Sequence, residues 1–119
     1  MIDGIVGVIL WTEDVERLAA FYRDVLELTP HSVRPDFVAF SLGDLRLSIG
    51  HHVSVRGRAS DPFRVMVNLG VQDIQQVVAR LKQRGVAFIR EPEQERWGGW
   101  VATFPDADGN ILQLLQQPP

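Results

Sequence analysis

Three histidines have the widest chemical repertoire in this sequence, because imidazole serves both as a metal ligand and as an acid–base group. His51 and His52 are adjacent in a segment rich in turn-forming residues, and His31 lies near a weakly predicted strand. Adjacent histidines point apart more often than they converge, so solvated loop histidines are favoured over a zinc site. No order of Ser, His and Asp supports a catalytic triad. The absence of cysteine excludes thiol nucleophiles and zinc–thiolate sites.

Aromatic side chains offer a second kind of chemistry, which is the binding of a flat organic molecule. Trp97 and Trp100 flank a pair of glycines, and Trp11 ends the longest apolar run. An indole can stack on a planar ligand while its N–H donates a hydrogen bond. For any one of these tryptophans, packing in the core, at a rim or in a dimer contact is equally expected.

The bulk composition is that of one globular domain. The chain has 119 residues, of which 45% are hydrophobic and 23% charged, and its formal net charge is −3. No cluster of Lys and Arg is interleaved with aromatics, which argues against a nucleic-acid partner. The apolar run at 5–11 is far shorter than the roughly 20 residues that span a bilayer, and the N-terminus lacks the basic region of a signal peptide. We therefore expect a soluble, cytoplasmic protein with no membrane partner.

The sequence contains an internal repeat. The segment that begins at Gly7, GVILWTEDVERLAAFYRDVL, matches the segment that begins at Met66, MVNLGVQDIQQVVARLKQRG, 59 residues later. Each copy opens with strand-like alternation, followed by an aspartate, Asp14 or Asp73, that is suited to cap a helix. Apolar residues then recur at helical spacing, and Gly85 is placed to end the second helix.

Further strands are predicted after each helix. In the first half, residues 37–41 and 45–49 flank the turn LGD, and 31–33 is a weaker candidate. The aperiodic segment 51–62 is typical of a linker.

In the second half, strands are predicted at 86–89, 100–104 and 111–115. The turn PDADGN should place Gly109 and Asn110 at positive φ. The chain is therefore predicted to be a single domain, 1–119, with one βαβββ module at 1–50 and a second at 63–119.

Four phrases, in their order and spacing, carry a resemblance to a known family: DVERLAAFYRDVLEL, GDLRLS, VQDIQQVVARLKQRGV and WGGWVATFPDADGNILQL. Together with the repeat they resemble the vicinal oxygen chelate superfamily. It includes glyoxalase I, extradiol dioxygenases, fosfomycin-resistance enzymes and bleomycin-resistance proteins. The resemblance implies an α+β fold in which two tandem βαβββ modules form an open, cup-shaped mixed β-sheet with the helices on its outer face. It also implies a homodimer, because open sheet edges are often completed by a second copy.

In such a cup, ligands would contact the strand residues that point away from the helices. Trp11, Arg46 and Ser48 fall on that face in the first module. A buried Arg46 would need an anionic partner, either a ligand carboxylate or an internal glutamate. Asn68 and Gln113 fall on the corresponding face of the second module. They are expected either to orient a ligand or to belong to an internal hydrogen-bond network that fills the space a metal would take.

Metal-dependent members of the family hold their ion with residues of the first and last strand of each module. The matching positions here are Gly7 and Ser48 in the first module, and Met66 and Gln113 in the second. None supplies the anionic or imidazole donor that offsets dehydration of a divalent ion. The resemblance therefore implies a member that lacks the usual metal site, and no metal or other cofactor is expected.

These observations favour metal-independent binding of a small organic molecule, similar in kind to the bleomycin-resistance proteins. No catalytic residue is identified. The alternatives are an enzyme of the glyoxalase or dioxygenase type, with a metal or acid–base group not yet identified, and a non-catalytic module that acts through protein contacts. The expected ligand-binding residues are Trp11, Arg46, Ser48, Met66, Asn68, Trp97, Trp100 and Gln113.

Overall fold

A computed structural model describes residues 1–119, and the chain divides into two compact units, Met1–Gly57 and Arg58–Pro119. Each unit has the element order βαβββ, so the predicted α+β class and module pattern are confirmed. No helix is long and apolar enough to cross a membrane.

Unit 1 is a four-stranded mixed sheet with one short helix. Strands β1 (Gly7–Thr12) and β4 (Leu45–His51) are parallel neighbours. Strands β3 (Phe37–Leu42) and β2 (Pro30–Arg34) add antiparallel to the far edge, which gives the order β1-β4-β3-β2. The helix begins after Asp14, whose side chain accepts a hydrogen bond from the backbone N–H of Arg17 at 3.1 Å. This helix is α1 (Val15–Ala20), and a π-helical turn (Phe21–Val25) continues it.

Unit 2 repeats this plan with a longer helix. Its strands are β5 (Met66–Gly70), β6 (Arg90–Gln94), β7 (Trp100–Pro105) and β8 (Ile111–Gln116). Their order in the sheet is β5-β8-β7-β6, with β5 and β8 parallel and the other pairs antiparallel. Asp73 caps the helix as predicted, since its carboxylate accepts from the backbone N–H of Gln76 at 3.2 Å. This helix is α2 (Ile74–Gln83).

The core of each unit lies between its helix and one face of its sheet. Leu18, Phe40 and Ile49 are fully buried in unit 1, and Phe104 and Leu112 are fully buried in unit 2. Removing side chains of this size from water stabilises a fold by about 1.5–3 kcal/mol each. Each sheet therefore has a helix-covered face and an opposite face, because successive strand residues point to opposite sides.

Two local predictions are wrong. The sixth strand is not at 86–89 but at Arg90–Gln94, a charged segment that contains Pro92. It is an edge strand, where a proline does not interrupt a hydrogen-bonded ladder on both sides. In the PDADGN turn only Gly109 has a positive φ, of 80°, and Asn110 does not.

Candidate functional site

The two modules place equivalent residues in the same register, which defines the candidate site positions. Ile9 pairs with Ser48 across β1 and β4, and Asn68 pairs with Gln113 across β5 and β8. Gly7 and Met66 each lie one side-chain repeat earlier on the same strand face. We call the sheet face that carries these residues, opposite the helix, the open face of each unit.

Aromatic rings gather on the open face of unit 1. Trp11 contacts Phe37 with 6.3 Å between ring centroids and His52 with 5.5 Å, both edge to face. The rings lie directly on the backbone of Gly50, where an added Cβ would be 2.6 Å from Trp11 Cζ3 and 2.9 Å from Phe37 Cδ2. Gly50 thus allows Trp11, which stays 42% exposed, to lie close to the sheet.

Arg46 is on the same face. The side chain is exposed, and its guanidinium donates to the hydroxyl of Ser41, its cross-strand neighbour. No carboxylate forms an ion pair with Arg46. The face therefore presents a cation whose charge is not neutralised within unit 1.

Gly7 and Ser48 complete the first pair of positions at which related proteins hold a metal. Ser48 is 5% exposed and carries only a neutral hydroxyl. A Cβ on Gly7 would be 2.7 Å from the carbonyl oxygen of Arg46, which is a backbone atom in the neighbouring strand. A side chain at position 7 therefore requires a shift of the backbone.

The open face of unit 2 is polar where that of unit 1 is aromatic. Gln113 Nε2 donates to Asn68 Oδ1 at 3.0 Å across β5 and β8. Their remaining atoms, Gln113 Oε1 and Asn68 Nδ2, provide one acceptor and one donor for a further molecule. Met66 lies beside them and is 37% exposed.

The position of Gln113 depends on the turn that precedes β8. Asp106 is 4% exposed, and its Oδ1 accepts from the backbone N–H groups of Asp108 at 2.9 Å and Asn110 at 3.0 Å. Its Oδ2 accepts from Asn110 Nδ2 at 2.9 Å. The Asp106 carboxylate thus stabilises the turn through these hydrogen bonds. The turn in turn sets the register of β8, the strand that carries Gln113.

The other two tryptophans do not join Gln113. Trp97 lies in the β6–β7 hairpin, 52% exposed, with its ring over Gly99, where an added Cβ would be 2.0 Å from the indole. Gly98 supplies the positive φ, 99°, that this turn requires. By strand alternation Trp100 shares its side of β7 with Phe104, on the helix-covered face.

Two sets of ion pairs outside these positions perturb the pKa values of their members. Arg90, in register with Thr103 at the edge of unit 2, contacts Glu93 at 3.1 Å and Glu95 at 2.9 Å, and these hydrogen bonds raise its pKa. In unit 1 the hydrogen bond from Arg23 lowers the pKa of Asp24. Arg90 is thus neutralised by two glutamates, in contrast to Arg46.

The residues at the four metal-ligand positions do not fit a divalent ion. Glycine has no donor, serine and glutamine are neutral, and methionine is a soft thioether suited to Cu(I). No group of three or more His, Asp or Glu side chains is arranged to hold a metal. No buried side-chain nitrogen or oxygen lacks a partner, so no orphaned donor is left where an ion would sit. All three histidines are exposed.

Phe37, Gly50 and His52 were missed by sequence reasoning. Phe37 shares the strand parity of Ala39 and Ser41, which could have placed it on the open face. Its contact with Trp11 across β4 depends on the missing side chain of Gly50, and nothing local in the sequence indicates that pairing.

The two βαβββ units, each with its parallel first and last strands, define the class of protein. The model of the glyoxalase/bleomycin resistance protein/dioxygenase superfamily matches residues 4–114, so this chain belongs to that superfamily. It is 28% identical to the uncharacterised protein YetH of Bacillus subtilis over 98% of this chain and 100% of YetH.

Solved structures show the same fold at low identity. A glyoxalase-related enzyme from Fulvimarina pelagi matches with a TM-score of 0.78 and 19% identity, over 98% of this chain and 89% of that one. The lactoylglutathione lyase of Agrobacterium tumefaciens matches with a TM-score of 0.75 and 19% identity, over 95% of this chain and 92% of that one.

Proposed function

We propose that this protein binds a small organic molecule without a metal, similar in kind to the sequestering proteins of its superfamily. The observation that carries the proposal is the chemistry of the four ligand-equivalent positions, Gly7, Ser48, Met66 and Gln113. A divalent ion needs charged or imidazole donors there, and none is present.

The amide pair supports the same proposal. Asn68 and Gln113 are joined by a 3.0 Å hydrogen bond at the register where a ligating residue of the second module would lie. A neutral amide orients an organic ligand through directional hydrogen bonds and does not attract a hydrated cation strongly. The polar face of unit 2 is therefore suited to uncharged hydrogen-bonding groups.

Exposed aromatic surface supports ligand binding in unit 1. Trp11 is 42% exposed and Ile9 46% exposed, although both are large apolar side chains on a regular strand. Such surface is costly in water and is typical of a binding site when it lies beside a few polar groups. Arg46 and Ser41 supply those groups here.

A homodimer is part of the proposal. Several apolar side chains that precede the first strand of each module are 60–86% exposed, and a second copy would cover them: Ile2, Ile5, Val6, Phe63 and Val65. Sedimentation equilibrium should give twice the 13.4 kDa mass of the chain. A monomer at 100 µM would remove this part of the proposal.

Thermal shift tests the binding function directly. A library of aromatic and amphiphilic molecules is screened against protein treated with EDTA and against untreated protein. A ligand at 100 times its Kd stabilises the native state by about 2.7 kcal/mol, which raises Tm by several degrees. We expect at least one ligand whose shift is unaffected by EDTA.

Variants then test whether the ligand that raises Tm binds at the open faces of the two units. Trp11→Ala or Gln113→Ala should reduce the shift, whereas Gln75→Ala on the exposed side of α2 should leave it unchanged. Shifts that vanish in EDTA would contradict metal-independent binding. A library without any binder would contradict the binding function itself.

A further inference from the structure

We propose that the open face of unit 1 selects a planar aromatic anion, such as an aromatic carboxylate, with its ring against Trp11 and its charge at Arg46. This inference rests on the proposed function and names the class of ligand. It is carried by three exposed side chains, Ile9, Trp11 and Arg46, which we call the ligand strip.

The residues of the ligand strip lie in a line along β1 and β4. Arg46 pairs with Gly7 and Gly50 pairs with Trp11, so the two ends of the strip are two side-chain repeats apart. Four residues of strand span about 13 Å. Ile9 lies between the ends, and Gly7 adds no side chain beside Arg46. The strip thus presents an aromatic end, an apolar middle and a cationic end in one line.

The aromatic end is held in place before a ligand arrives. The indole of Trp11 contacts Phe37 and His52 and lies against the backbone at Gly50. A ring fixed on three sides loses little freedom when a planar ligand stacks on its exposed part. Preorganisation of this kind raises affinity because less side-chain entropy is lost on binding.

The charge of the face selects the sign of the ligand. The residues that the register places on this face include Arg46 and Arg34 but no Asp or Glu. Arg46 donates only to the neutral hydroxyl of Ser41. A guanidinium covered by an uncharged ligand would lose hydration without gaining an ionic partner, whereas a carboxylate offers a bidentate, charge-assisted contact.

Unit 2 provides an internal comparison. Its edge arginine, Arg90, is also in register with the open face, but Glu93 and Glu95 contact it at 3.1 Å and 2.9 Å. An arginine with a structural role is thus paired within this same chain. Arg46 has no such partner, which leaves its charge available to a ligand.

Three naphthalene probes test the inference: 2-naphthoate, the neutral 2-naphthamide and the cationic 2-(aminomethyl)naphthalene. Each is titrated into ¹⁵N-labelled protein, and shifts of the Trp11 indole N–H and of the β1 and β4 amides are followed by NMR. We expect 2-naphthoate to shift these signals and to bind at least about 10-fold more tightly than either other probe. This comparison needs no variant.

Charge variants assign the selectivity to one residue. Arg46→Gln should lower the affinity for 2-naphthoate at least about 10-fold and remove the preference of the protein for 2-naphthoate over 2-naphthamide. Arg46→Lys should keep part of that preference. The control is Arg96→Gln, an exposed arginine in the β6–β7 hairpin, which should leave the affinity unchanged. The amide spectrum of each variant shows whether it is folded.

Each remaining outcome overturns the inference. If 2-naphthamide binds at Trp11 as tightly as 2-naphthoate, the face binds aromatics but does not select anions, and the proposed function stands. If all three probes leave the β1 and β4 signals unchanged, the strip is not an aromatic site. The thermal-shift screen then decides separately whether the protein binds an organic ligand elsewhere.

Discussion

Replacing Gly50 with alanine tests how the aromatic end of the open face is built. The new Cβ would be 2.6 Å from Trp11 Cζ3 and 2.9 Å from Phe37 Cδ2. Carbon atoms pack best at about 3.5–4.0 Å, so the indole has to retreat by about 1 Å. Overpacking of this kind costs about 1–3 kcal/mol, partly offset by about 0.4–1 kcal/mol because alanine restricts the unfolded chain. We expect Gly50→Ala to lower the free energy of unfolding by about 1–2 kcal/mol.

Gly70 provides the matched control, because it is also a strand glycine but a Cβ there would meet no atom within 4 Å. Gly70→Ala should be neutral or slightly stabilising. Urea denaturation followed by circular dichroism measures both free energies. When Trp11 is also replaced by alanine, two of the three atoms closest to the new Cβ are absent. The loss of unfolding free energy caused by Gly50→Ala should therefore be smaller by about 1 kcal/mol. Equal effects of the two glycine substitutions, or a cost that is unchanged without Trp11, would refute this account of the face.

Further substitutions test other parts of the structure. Gly7→Ala should cost about 1–3 kcal/mol by urea denaturation, because its Cβ would be 2.7 Å from a backbone oxygen. Met66→Ala at the equivalent position of the second module should cost less than about 1 kcal/mol, and the reverse order would contradict the packing described. Asp106→Ala should lower stability by about 2–4 kcal/mol, since two backbone N–H groups lose their acceptor, whereas Asp106→Asn should cost less. Because the hydrogen bond from Arg23 lowers the pKa of Asp24, the contribution of this carboxylate to stability is present above its ordinary pKa of 3.8 and is lost as the pH falls through the lower, folded-state pKa. A ¹³C NMR titration should show that Arg23→Gln raises this pKa, and an unchanged pKa would show that the pair is not formed in solution.

The fold could be predicted because its signals are local and repeated. Both capping aspartates, Asp14 and Asp73, stand at the start of an amphipathic segment, and both side chains accept the expected backbone hydrogen bond. Glycines at positive φ mark three of the hairpin turns, at Gly43, Gly98 and Gly109. Because of the repeat, the helix and strands predicted in one module also predict the order of the elements in the other module.

The sixth strand was misplaced because its signal is not local. Residues 86–89 are apolar, but Val86 N–H donates to Leu81 O and closes the end of α2. The strand itself is charged, and it forms because Arg90, Glu93 and Gln94 pair with β7. Tertiary pairing outweighs strand propensity at such an edge.

The candidate site was only partly predictable. Strand parity placed Trp11, Arg46, Asn68 and Gln113 on the open faces, as the register shows. The exposure of Arg46 and the stacking of rings on Gly50 depend on side-chain packing between strands far apart in sequence, which periodicity does not encode.

Metal content is the most direct test of the central claim, that binding in this protein needs no metal. Tag-free protein is incubated with Mn²⁺, Fe²⁺, Co²⁺, Ni²⁺ and Zn²⁺ in turn, desalted, and measured by plasma mass spectrometry. The donor set at Gly7, Ser48, Met66 and Gln113 predicts a stoichiometry near zero for every ion. One retained equivalent of a single ion, unchanged when His31, His51 and His52 are replaced by alanine, would contradict it.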